Sequence, residues 1–113
     1  MYSYYYANIA LFFSYLEIRR FCDYVHGAIF DFEDLQKKFH NLRRLLTTKY
    51  CSQNCGLIYL INIMEVNIHL IYEEIHNAGI EKPENKLNEL GELANEMLFT
   101  CMGDEDAPCH TLQ

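Results

Sequence analysis

The sequence predicts an all-α fold: an antiparallel up-down-up-down four-helix bundle with an irregular acidic C-terminal tail. Three observations predict it. From Leu57 to Ile75 the apolar residues Leu57, Ile61, Met64, Ile68, Ile71 and Ile75 recur at alternating steps of four and three, which keeps them on one stripe of a helix with about 3.6 residues per turn. Gly79 and Pro83 follow; glycine can take the left-handed conformation that ends a helix, and proline can start a helix but not continue one. Leu87, Leu90, Ala94, Met97 and Cys101 then repeat the heptad-like spacing before Gly103.

Each element has its own signals. The first helix is expected from about Tyr4 to Val25, with Ile9, Phe12, Phe13, Leu16, Phe21, Cys22 and Val25 as a wide apolar face and Gly27 near its end. Its tyrosine-rich start also admits a short strand. A second helix starts near Asp31, which can cap it, with Asp34 three residues on in the manner of a capping box. Leu35, Phe39, Leu42, Leu45 and Leu46 mark its buried stripe, and Thr47 and Thr48 favour an exit. Ser52 or Asn54 is the expected cap of the third helix. The fourth runs from Pro83 to about Met102. Short connections make consecutive helices antiparallel neighbours. Residues 1–103 form one helical domain without internal repeat, and residues 104–113 are expected to be an irregular tail, because Asp104, Glu105, Asp106 and Pro108 fall there.

Composition narrows the function classes. At 113 residues and 50% hydrophobic the chain can bury one core. Nine Tyr and seven Phe with no Trp make that core aromatic, and some phenol groups must reach water or a partner. A secretory signal would place basic residues before its apolar run, whereas Arg19 and Arg20 come after it. The greasiest stretch, Leu57 to Tyr72, is interrupted by Asn62, Glu65, Asn67 and His69. The expectation is a cytoplasmic protein with no membrane contact. The net charge of −7 is unevenly distributed: residues 1–50 hold seven bases against five acids, and residues 51–113 hold eleven acids against two bases. So acidic a half disfavours direct nucleic-acid binding, which needs clustered Lys and Arg over phosphates.

No Gly-rich phosphate loop, Gly-x-Ser-x-Gly elbow, Cys-x-x-Cys pair or His-Glu-x-x-His helix is present in the sequence. On the third helix Asn62, Glu65, His69, Glu73 and His76 share a stripe opposite an almost continuous apolar surface, and read as a solvent-facing strip. Glu73 and His76 make a single Glu-x-x-His pair, half of what a carboxylate-bridged di-iron bundle uses. Glu73 and Glu74 followed by Asn77, and then Glu89, Glu92 and Glu96, loosely resemble the magnesium-binding helices of all-α nucleoside triphosphate pyrophosphohydrolases, with Asn77 where that family has a carboxylate. Arg20 and His26, five residues between them, have a spacing similar to that of HEPN-type ribonucleases, with Phe21 where a polar residue usually stands. Either resemblance implies a hydrolase, metal-dependent in the first case.

The reading that uses most of the visible residues is non-enzymatic. Glu89, Glu92 and Glu96 recur at three and four beside the apolar seam of the fourth helix, and Asp104, Glu105 and Asp106 extend the negative charge beyond its end. Such a strip can dock on a basic partner protein and compete with a phosphate backbone for the same groups. Small immunity proteins, antitoxins and phage-encoded inhibitors work in this way, a likeness of size and charge only. The expected partner is a nuclease or another nucleic-acid-handling factor. A structural module that forms a homodimer through exposed Tyr and Phe is a further alternative.

No cofactor is expected from the motifs, with one exception allowed by residue type. Antiparallel order brings the start of the third helix beside the end of the fourth, which would gather Cys51, Cys55, Cys101, Cys109 and His110. Thiolates and imidazole suit a structural zinc, but the spacings do not match a usual zinc site and favour unconnected thiols over zinc or disulfides, and Cys22 reads as a small core residue. If zinc binds, elemental analysis finds about one equivalent per chain and Cys55→Ser releases it with loss of stability. Metal-free protein that unfolds normally leaves the thiols unconnected.

Overall fold

Four helices follow in order: α1 (Tyr2–His26), α2 (Phe32–Leu46), α3 (Cys55–Asn77) and α4 (Glu84–Met102). The structure, a computed structural model, describes residues 2–47 and 55–102, with side chains over 13–47 and 56–101. There is no strand among the described residues, and the tyrosine run is the first turn of α1 rather than a strand. Ser52, Asn54, Thr48 and the tail at 104–113 lie outside the described residues.

The face that α1 buries is the expected one only in part, and the side chains of Ile9 and Phe12 lie outside the described residues. Ser14, Ile18, Phe21 and Cys22 are buried, whereas Phe13 is 54% exposed and Leu16 is only half-buried. Apolar residues surround α1 on several sides, so their period alone does not set its rotation. Packing against two neighbours turns Ser14 and Ile18 inward beside the expected Phe21 and Cys22 and leaves Phe13 outside.

The other helices follow their sequence signals closely. Asp31 is the N-cap of α2, its backbone extended at φ −140°, and its carboxylate accepts from the Asp34 N–H at 3.3 Å. Thr47 ends α2 by donating its N–H to the Arg43 carbonyl at 3.1 Å. Leu35, Phe39, Leu42 and Leu46 are buried between these caps, and Leu45 is half-buried. In α3 Leu57, Ile61, Met64, Ile68 and Ile71 are buried and Ile75 is half-buried. Gly79 reverses the chain at φ 70°, a left-handed angle that costs glycine little. The Ile80 N–H thereby reaches the Glu74 carbonyl at 3.0 Å, satisfying one of the acceptors left open at the end of α3. Pro83 stands just outside α4, and its carbonyl accepts the Leu87 N–H at 2.9 Å.

Helix α4 packs most closely, against α1 on one side and α3 on the other, with Leu87, Leu90, Ala94, Met97 and Cys101 buried in the seam. At Gly91 a β-carbon would come within 2.9 Å of the His26 Nε2, so glycine lets the imidazole of α1 rest on the α4 backbone. The His26 Nδ1 lies 2.8 Å from the Cys22 carbonyl, to which it donates its proton. Helix α2 meets α1 through Phe21 and Phe39, ring centroids 6.2 Å apart, and meets α3 along the thinnest seam of the bundle. Phe32 at the start of α2 lies 5.6 Å from Tyr72 near the end of α3, which makes those helices antiparallel. Burial raises the pKa of the Cys22 thiol above its ordinary value, as suits a core residue. Among the described residues no helix is long and apolar enough to cross a membrane.

Met64 is fully buried in the common core and Phe13 is not. Met64→Ala is expected to lower unfolding free energy by about 2–5 kcal/mol, and Phe13→Ala by about 1 kcal/mol or less. Urea denaturation followed by circular dichroism separates the two, and equal losses would place Phe13 in the core after all.

Candidate functional site

Helix α3 carries two apolar stripes. One faces the core; the other consists of Tyr59, Ile63, Val66 and Leu70, again at steps of four, three and four, rotated toward the outer flank beside α4. Val66 is 61% and Tyr59 57% exposed, while Ile63 is half-buried. On α4 the facing residues are Leu93, half-buried, and the exposed Glu89, Glu92 and Glu96. Together they bound a groove of about 370 Å³ that continues into a second hollow of about 360 Å³ reaching Gly56, Tyr59 and Thr100. The floor is apolar and the α4 rim is acidic.

Asn67 lies in this groove at 6% exposure. Its Nδ2 donates to the Glu89 Oε2 at 3.2 Å, and Lys86 Nζ meets the same oxygen at 3.4 Å. The Asn67 Oδ1 is buried without a hydrogen-bond partner. Reversing the amide does not relieve it, because the oxygen would then face the Glu89 carboxylate. An orphan acceptor of this kind costs on the order of 1–3 kcal/mol.

The expected site residues separate into two groups. Glu89, Glu92 and Glu96 come together as one exposed row, with Glu89 tied to Asn67 rather than facing solvent alone. Asp104, Glu105, Asp106, Cys51, Cys109 and His110 lie outside the described residues, as does the Cys55 side chain, and Cys101 is buried. Among the described residues no three His, Cys, Asp or Glu side chains come close enough to hold a metal ion. Sequence reasoning missed the Tyr59–Leu70 stripe, for which the second four-three-four repeat was the available signal, and Asn67, for which spacing gave none.

Several charges of the remaining polar clusters are paired. A hollow of about 470 Å³ between α2 and α3 is lined by Phe32, Phe39, Ile68 and Tyr72, and its Arg43 is paired with Glu65. The strip on α3 is exposed as expected, with His69 3.3 Å from Glu73 and the Tyr72 ring 4.2 Å from that of His76. Arg20 pairs with Glu17 on the outside of α1 while His26 rests on α4. Six residues along a helix leave two side chains about 120° apart, so these two point to different sides. No protein-family model, curated protein or solved structure matches the chain.

The orphan acceptor makes a stability prediction. Asn67→Leu removes it and is expected to raise unfolding free energy by about 1 kcal/mol. Chemical denaturation checks the sign, and a loss of comparable size would mean that the Asn67–Glu89 bond outweighs the unpaired oxygen.

Proposed function

We propose that the chain is a small acidic binding protein that occupies a basic functional surface of a partner protein, such as a nuclease or another nucleic-acid-handling factor. The observation that carries this reading is the exposed row Glu89, Glu92 and Glu96 bordering the apolar floor of Ile63, Val66 and Leu93. Negative charge beside an apolar patch suits both stages of association. The carboxylates attract the basic partner over about a Debye length, roughly 8–10 Å, and the apolar floor holds it once water is expelled.

In this reading the partner's Lys and Arg would otherwise meet phosphate, and the carboxylates take the same positions. Asp104, Glu105 and Asp106, which follow α4 in the sequence, add to the negative charge of this half of the chain. Inhibition by occupancy asks only for shape and charge, so the reading assigns no catalytic residue. It puts the protein in the cytoplasm, with its partner.

A partner purified on the immobilised chain is expected to release as salt is raised. The triple variant Glu89→Gln, Glu92→Gln, Glu96→Gln should keep its fold, since amides fill the same space on an exposed row. Its association rate constant should fall about tenfold at low salt and lose most of its salt dependence. Stopped-flow kinetics at several salt concentrations decide the matter: an unchanged association rate removes the acidic row from recognition.

A further inference from the structure

We infer that the occupant of the α3–α4 groove is a basic amphipathic helix of the partner, laid along α3 with apolar residues at four-three-four spacing. This inference rests on the acidic-face reading and adds the form of the bound element. Its first support is the Tyr59–Ile63–Val66–Leu70 stripe, which keeps Tyr59, Val66 and Leu70 exposed and Ile63 half-buried although the core stripe of the same helix is already satisfied. Singly exposed apolar residues need no explanation, but four in heptad register present the ridge that a facing helix packs against. Tyr59 to Leu70 spans about 16 Å, room for roughly three turns of a docked helix.

The second support is Asn67. It is more than nine-tenths buried in the floor of the groove, and its Oδ1 has no donor. Because that oxygen is sealed from solvent, a donor side chain of the bound helix, such as Gln, Lys or Arg, supplies the missing hydrogen bond only with a rotation of the amide toward the groove. The third is charge. Lys86, the cation next to the rim, already contacts Glu89. Glu92 and Glu96 form no ion pair among the described residues, which leaves them open to Lys and Arg along one flank of the occupant. A second copy of the chain fits less well, because its own Glu89, Glu92 and Glu96 would meet this row and like charges oppose each other.

The test uses a fluorescent synthetic peptide of about 15 residues, enough for four turns, with Leu at alternating steps of four and three, Arg and Gln on one flank and Ala elsewhere. Two controls accompany it: the same composition scrambled to destroy the stripe, and the patterned peptide with Glu replacing Arg. Fluorescence anisotropy with the full chain is expected to show the patterned basic peptide binding at least about tenfold more tightly than either control. Amide shift changes should centre on α3 and α4. Val66→Asp, at an exposed position that leaves the fold intact by circular dichroism, should weaken binding about tenfold or more, and Asn67→Leu should weaken it less.

Equal binding of the scrambled basic peptide overturns the helix inference but keeps the acidic-face reading. Equal binding of the patterned acidic peptide keeps the groove and overturns the acidic reading. Binding of neither basic peptide overturns both. A chain that sediments as a dimer, and becomes monomeric with Val66→Asp, gives the groove to a second copy and overturns the inference.

Discussion

The apolar seam of α4 constrains the rest of the bundle. Leu87, Leu90, Ala94, Met97 and Cys101 are all buried, so the rotation of α4 about its axis is fixed by what it must hide from water. Once that face points inward, Glu89, Glu92 and Glu96 can only stand at the edge nearest α3 or on the outside. The same rotation brings Gly91 to α1, where the absence of a side chain admits His26. Core packing, helix approach and the position of the acidic row are thus three results of one burial requirement.

Helix α3 carries more apolar surface than the bundle consumes. Its inward stripe completes the core, and its outer stripe remains beside the acidic rim with Asn67 on the boundary between the two. A wholly structural helix would gain stability from polar residues at Val66 and Leu70 and an apolar one at Asn67. The chain has the reverse at all three positions. Local rules broken together at one place support the proposed binding surface, with the Asn67–Glu89 bond as the one internal return.

Most of the fold was legible because α2, α3 and α4 each have one dominant apolar stripe and clear boundary residues. Asp31 and Gly79 perform the roles their chemistry suggests, and the α4 series from Leu87 to Cys101 is buried throughout. Helix α1 was harder, because Phe12, Phe13, Leu16, Ile18 and Phe21 surround the axis. Only contact with neighbouring helices distinguishes Ile18, inside, from Phe13, outside. The acidic row could be read from spacing alone. The groove could not, since it depends on how closely α3 approaches α4, and an orphan oxygen such as that of Asn67 exists only once its surroundings are folded.

The seams of the bundle are uneven, and that bears on where it opens first. Helix α2 is joined to α3 mainly through the Phe32–Tyr72 contact and the Arg43–Glu65 pair, both near the surface, while α1, α3 and α4 share the closer packing. Proteins open locally along the boundaries where the fewest buried contacts cross. Here that boundary is the α2–α3 edge, although α2 stays anchored through Leu35, Phe39, Leu42 and Leu46 in the common core and through its seam with α1. Departure of α2 from this edge would uncover Ile68 of α3, on the side away from the acidic groove, together with Phe39 of α2 itself.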